Sequence, residues 1–142
     1  MENNNRMTAL FSGRFDPPHL GHLISILRLS NKFDKVIVVI LDYRERAFPV
    51  EYARTVLCEA LSFCCGEFQV YTNSKHFAQI TRKELKEWGF DVYCAGNMEV
   101  LNHIKGLGVP VQYVERAYEY EANNDRFAKE VKSIIKSLSS RY

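Results

Sequence analysis

Two histidines, His19 and His22, stand three residues apart in the stretch Gly13-Arg14-Phe15-Asp16-Pro17-Pro18-His19-Leu20-Gly21-His22. At that spacing, in the first turn of a helix, two imidazoles face the same way. The unpaired amides of such a turn and the positive end of the helix dipole attract phosphate. Imidazole N–H groups aimed at the same point can stabilise charge that grows on phosphate oxygens during attack, which is electrostatic rather than nucleophilic catalysis. Gly13 and Gly21 let the backbone approach a ligand with no side chain between. The remaining histidines, His76 and His103, have no comparable setting and read as structural. No third ligand at convincing spacing accompanies the histidine pair, so zinc is disfavoured. Walker A and GxGxxG patterns are both missing, which argues against P-loop hydrolysis and dinucleotide dehydrogenase chemistry.

A turn of this kind needs a strand before it and a helix after it. Residues 7–11 form a short apolar run, and residues 20–29 are amphipathic, with Leu20, Leu23, Ile24 and Leu27 at helical spacing. The continuous β-branched run at residues 36–41 suits a central parallel strand buried on both faces. Shorter strands are expected at residues 68–71, 92–95 and 111–114. Helices are expected after Pro49 (Ala53, Val56, Leu57, Ala60, Leu61), over residues 75–88 up to Gly89, over 98–105, and over 124–138 with Asn123 or Asn124 as cap. Alternating strands and helices predict an α/β fold, a doubly wound parallel five-stranded sheet with helices on both faces and right-handed crossovers. Ligands of such sheets sit at the carboxyl ends of the strands. The loops there gather Arg14, Arg44, Arg46, Arg116 and Arg126 at one edge.

With 142 residues, 46% of them hydrophobic and 25% charged, the chain reads as one soluble domain over residues 1–142, with residues 1–6 expected to be disordered. A net charge of only +2 is too weak to argue for nucleic acid or an anionic membrane surface, so cations gathered at one edge point to a small anionic ligand. No apolar run reaches the roughly 18 residues of a membrane span, and residues 1–6 have no signal-peptide core, so a cytoplasmic location is the expectation. Cys58, Cys64, Cys65 and Cys94 lie in apolar segments without disulfide-framework or zinc spacing and read as reduced core residues.

The ten residues from Gly13 to His22, between a strand and a helix, resemble the HxGH signature of the nucleotidyltransferase superfamily, which includes cytidylyltransferases and the phosphopantetheine and nicotinamide mononucleotide adenylyltransferases. The resemblance implies a single Rossmann-like domain. It also implies transfer of a nucleotidyl group from a nucleoside triphosphate with Mg²⁺ onto a small phosphorylated acceptor, with release of pyrophosphate. Carried over to this chain, His19 and His22 act on the triphosphate, with His22 at the reacting α-phosphate, and Arg126 joins them as the third catalytic residue. Ser12, Gly13, Arg14, Phe15, Gly21, Asn97 and Asn124 line the nucleotide site, and Arg46 and Arg54 hold the acceptor. Asn97 replaces an aspartate common in relatives, and the segment Glu121-Ala122-Asn123-Asn124-Asp125-Arg126 lacks the hydroxyls that the family has before its last helix. Asp16-Pro17 and Arg14 resemble the adenylyltransferases and favour ATP as donor. A cytidylyltransferase using CTP and a non-catalytic nucleotide-binding module are the alternatives. A homo-oligomer is common in the family.

Overall fold

The computed structural model describes residues 6–115. The helix expected over 124–138 and the calls on Arg116, Asn123, Asn124 and Arg126 lie outside the described residues. Five strands, β1 (Thr8–Gly13), β2 (Lys35–Leu41), β3 (Glu67–Asn73), β4 (Val92–Ala95) and β5 (Val111–Tyr113), form one all-parallel sheet in the order β3-β2-β1-β4-β5. The chain therefore winds outward from β1 in one direction and then returns to its other side, which opens a crevice between the carboxyl ends of β1 and β4. A reversal of strand order is where open α/β sheets bind ligands.

The centre of the sheet is β1, and β2 is the interior strand beside it. Side chains on neighbouring positions of a strand point to opposite faces. Val36, Val38 and Ile40 accordingly join one core, with Ile26, Leu29, Ala53, Leu57 and Leu61, while Ile37, Val39 and Leu41 join the other, with Ile80, Leu85, Val100, Leu101 and Ile104. That double burial is why β2 reads as an unbroken apolar run. The first core lies under α1 (Leu20–Ser30) and α2 (Val50–Ser62), and the second under α3 (Arg82–Trp88) and α4 (Met98–Gly106).

Three expectations require correction. The helix expected over residues 75–88 is a single 3-10 turn, Phe77–Gln79, followed by the separate helix α3. Thr81 starts that helix afresh: its hydroxyl accepts from the Glu84 amide and the Glu84 carboxylate accepts from the Thr81 amide, a reciprocal cap that satisfies two amides at once. Gly89 ends it in the left-handed region at φ 66°, where glycine carries no Cβ penalty. Second, of the expected stripe Leu23 packs against the core, but the fully buried residues of α1 are Ser25, Ile26 and Leu29, and Leu20 is exposed. His22 precedes these residues by three, four and seven positions, so the face that enters the core also carries His22. Third, Cys94 is buried, but Cys58 and Cys65 are exposed, Cys58 on the outer side of α2 and Cys65 just past its end; all four thiols are free.

Candidate active site

The β1–α1 turn begins where β1 leaves the sheet at Gly13 and ends in the first turn of α1. His19 is the cap of α1. Its Nδ1 accepts from the Gly21 amide at 3.0 Å, and the His22 Nδ1 accepts from the His19 amide at 3.1 Å. The two imidazoles thus make the exchange that a serine and a glutamate make in an ordinary capping box. They stack with their centroids 3.8 Å apart and their planes 22° from parallel. A ring nitrogen that accepts a hydrogen bond carries no proton, so each neutral imidazole holds its proton on Nε2 and acts as a donor there. The fold fixes the tautomer and orientation of both rings before a ligand arrives.

Both glycines of the turn are fitted to rings. A Cβ on Gly21 would sit 2.9 Å from Cε1 of His19, and a Cβ on Gly13 would sit 3.3 Å from the Phe15 ring. Phe15 itself is buried in the core beside α1, at a positive φ of 48°, and meets the edge of His22 with centroids 4.7 Å apart. It supports a histidine from behind while also bordering the cleft.

The loop between β2 and α2 is tied to this turn from both sides. Asp16 accepts from the amides of Ala47 at 2.7 Å and Phe48 at 2.9 Å. Arg14 donates to the carbonyls of Glu45 at 2.8 Å and Arg44 at 3.4 Å. Arg46 turns inward, with only 6% of its side chain exposed. It donates from Nε to the Phe48 carbonyl at 3.0 Å, from Nη1 to that of Leu41 at 3.2 Å and from Nη2 to that of Phe15 at 3.0 Å. Asp16 lies between the two guanidinium groups, 3.9 Å from that of Arg14 and 4.0 Å from that of Arg46.

A cleft of about 510 Å³ opens at the carboxyl ends of β1, β2 and β4, a volume suited to a small-molecule ligand. Of the residues singled out from the sequence, Ser12, Gly13, Arg14, Phe15, His19, Gly21, His22 and Asn97 all border it. Arg46 and Arg54 do not. Arg46 braces the two loops, and Arg54 is exposed on α2. Arg44, expected among the cations at this edge, borders the cleft, as does Tyr43, which had no assigned role, and the guanidinium groups of Arg14 and Arg44 each lie 5.6 Å from the centre of the Tyr43 ring. The Nε–H of Arg14 is buried with no hydrogen-bond partner among the described residues, an orphan donor at the rim of the cleft. Asn97 caps α4 through its side-chain oxygen, which accepts from the amides of Glu99 at 2.8 Å and Val100 at 3.4 Å. Its amide N–H groups are the donors left to face a ligand. His76 caps the 3-10 turn, and Nε2 of His103 lies 3.2 Å from the Ile80 carbonyl, which gives both structural partners.

Among the described residues, no three His, Cys, Asp or Glu side chains converge to hold a metal ion. Asp16, the carboxylate nearest the histidines along the chain, is taken up by two amides. None of the described helices is long and apolar enough to cross a membrane.

Residues 10–55 match the family model described as Cytidylyltransferase-like, a span that contains the β1–α1 turn and the β2–α2 loop. The phosphopantetheine adenylyltransferase of Streptococcus pyogenes serotype M5 (strain Manfredo) is 26% identical over 140 residues, covering 92% of this chain and 85% of that protein. The same values hold for the enzyme of the serotype M49 strain NZ131. Among solved structures, the bifunctional NMN adenylyltransferase/ADP ribose pyrophosphatase of Francisella tularensis, complexed with AMP and a manganese ion, superposes with a TM-score of 0.59 at 17% identity. That match covers 78% of this chain and 37% of the larger protein. The lipopolysaccharide core biosynthesis protein of Thermoplasma volcanium GSS1 superposes with a TM-score of 0.56 at 17% identity, over 78% of this chain and 97% of that one. At such identities the structural likenesses establish the Rossmann-like fold.

Proposed function

We propose that this chain is a nucleotidyltransferase of the HxGH kind, in keeping with the Cytidylyltransferase-like match over residues 10–55 and the phosphopantetheine adenylyltransferase relatives, and that it transfers an adenylyl group from ATP to a small phosphorylated acceptor of the phosphopantetheine or nicotinamide mononucleotide kind, releasing pyrophosphate. The observation that carries this reading is the reciprocal histidine cap, which holds both imidazoles in fixed orientation at the wall of a cleft that Arg14 and Arg44 also border.

In the proposed reaction an oxygen of the acceptor phosphate attacks the α-phosphorus of ATP. The bond from that phosphorus to the bridging oxygen breaks, and pyrophosphate leaves with the electron pair. A phosphate is already anionic at neutral pH, so no general base is required, and the protein has to position two anions and neutralise their charge. His22, braced by Phe15, donates to the α-phosphate oxygens as their charge grows, and His19 to the neighbouring phosphates. Ser12, Gly13 and Gly21 form the floor beneath the triphosphate. Arg14 and Arg44 draw in the acceptor phosphate, the place that the resemblance implies for Arg46 and Arg54. Asn97 faces the nucleotide from the other side of the crevice; the triphosphate roles that the resemblance implies for Arg126 and Asn124 fall outside the described residues. Mg²⁺ enters as part of the metal–triphosphate substrate, where it supplies charge neutralisation.

The test is pyrophosphate release from ATP and CTP, each paired with 4′-phosphopantetheine, nicotinamide mononucleotide and phosphocholine. ATP with one of the first two acceptors is expected to release pyrophosphate. His22→Ala should keep ATP affinity and lose on the order of a hundredfold or more in turnover. Preference for CTP would instead mark a cytidylyltransferase, and nucleotide binding without release in any pairing would mark a non-catalytic module.

A further inference from the structure

Tyr93, on β4, is fully buried, yet it carries a hydroxyl. Its register partner on β1 is Leu10, and Ser12 lies two residues further along the same face of β1. The Tyr93 ring reaches along that face, and its Oη donates to the Ser12 Oγ at 2.8 Å. Burial pushes the phenol up to about 12, so it keeps its proton and remains a donor across the neutral range.

Ser12 is nearly buried as well and borders the cleft at the carboxyl end of β1. A serine oxygen has one proton to give and two lone pairs to receive. Here one lone pair is taken by the phenol, and the proton between the two oxygens belongs to tyrosine. With the phenol as donor, the serine proton points away from Tyr93, on a residue that borders the cleft. A hydroxyl that is free to rotate must be ordered when a ligand binds; one already ordered avoids that cost.

Resting on the reading of the cleft as a triphosphate site, we propose that Tyr93 is a positioning residue. It fixes the Ser12 hydroxyl as a donor aimed at the phosphate chain and acts on the ligand only through Ser12. The arrangement is polar inside an otherwise apolar layer of Leu10, Ile37, Val39 and Ala95, where a phenylalanine would pack with one fewer polar atom to satisfy.

The experiment is a double-mutant cycle on affinity for sodium tripolyphosphate, measured by titration calorimetry on the full chain. A residue that acts only through Ser12 loses its effect when the serine hydroxyl is gone. Tyr93→Phe is expected to weaken binding roughly three- to tenfold. Ser12→Ala should weaken it at least as much, and the double variant should match Ser12→Ala alone. A general structural role for Tyr93 predicts instead the same loss from Tyr93→Phe in both backgrounds, and that result overturns the proposal. So does unchanged affinity in Tyr93→Phe, or a wild-type protein that does not bind tripolyphosphate. Pyrophosphate release, measured in parallel, reports separately on the enzymatic reading. A chain that binds tripolyphosphate with the expected coupling and transfers no adenylyl group retains the Tyr93–Ser12 relation and loses the proposed activity.

Discussion

Replacing Arg46 by methionine separates two roles that its position in the sequence leaves open. Facing the cleft, Arg46 would hold acceptor phosphate, and its loss would raise the acceptor KM with little change in stability. In the structure its guanidinium makes three hydrogen bonds to the carbonyls of Phe48, Leu41 and Phe15 and lies against Asp16, with 6% of the side chain exposed. Methionine keeps most of the apolar stem and removes the charge, so the cavity contribution is small and the lost polar network dominates. Breaking a buried charged pair by deleting one member costs about 3–5 kcal/mol. Some of that is recovered here, because the cleft lies close by and water can reach the vacated carbonyls, so about 3 kcal/mol is the expected loss. Against the 5–15 kcal/mol that typically separates folded from unfolded states, this is a large fraction. It corresponds to a fall of about 10 °C in melting temperature for a domain of this size. Urea denaturation followed by circular dichroism measures it directly. Arg54→Met, exposed on α2, should stay within about 0.5 kcal/mol of the parent and serves as the control. Arg44→Met should raise the acceptor KM and leave the denaturation midpoint in place. An Arg46→Met protein with an unchanged midpoint and a raised acceptor KM would refute the bracing role.

Two further outcomes follow from the geometry. Gly21→Ala introduces a Cβ where the His19 ring already stands, 2.9 Å from Cε1 and 3.0 Å from Nδ1. The ring must leave its cap, so the gain in helix propensity, about 1 kcal/mol, is offset by a cap loss of similar size. Melting temperature should therefore change little, while ATP affinity and turnover fall together, as calorimetry and pyrophosphate release would show. In the folded protein, a thiol reagent should modify Cys58 and Cys65 readily and Cys94 only after denaturation, because Cys94 is buried and its burial pushes the thiol up to about 12. Peptide mapping after labelling of the native chain checks this, and rapid native modification of Cys94 would contradict its place in the sheet.

Strands and their order of burial were legible where a local pattern carries the information. The β2 run, the strand of residues 92–95 and the α2 stripe of Ala53, Leu57 and Leu61 stand as expected, since apolar side chains have little alternative to the core. The break before α3 was readable in principle from Thr81-Arg82-Lys83-Glu84, a capping-box sequence inside what reads as one helix. The histidine cap had a similar signal, because His19 and His22 occupy the two positions that a serine and a glutamate hold in that motif. The direction of Arg46 had no local signal. A guanidinium next to a phosphate site serves equally well facing ligand or facing carbonyls, and which it does depends on Phe15, thirty-one positions earlier in the chain. Tyr93 was hidden for the same reason, since its partner Ser12 is brought near only by the pairing of β4 with β1.

The ties between the two loops of the cleft have a consequence for altering which acceptor is accepted. Asp16 grips the backbone amides of Ala47 and Phe48, and Arg14 and Arg46 grip backbone carbonyls. Apart from the Arg46 guanidinium beside Asp16 and the Tyr43 ring beneath Arg14, the groups gripped from the second loop are main chain, which is the same in any residue other than proline. The side chains at positions 44, 45, 47 and 48 can therefore be exchanged without loosening the hold on the turn that carries His22, provided the loop keeps its length and Arg46 stays. Under the proposed reaction, acceptor choice and the transfer machinery are mechanically joined yet chemically independent, and a library confined to those four positions would search one while leaving the other standing.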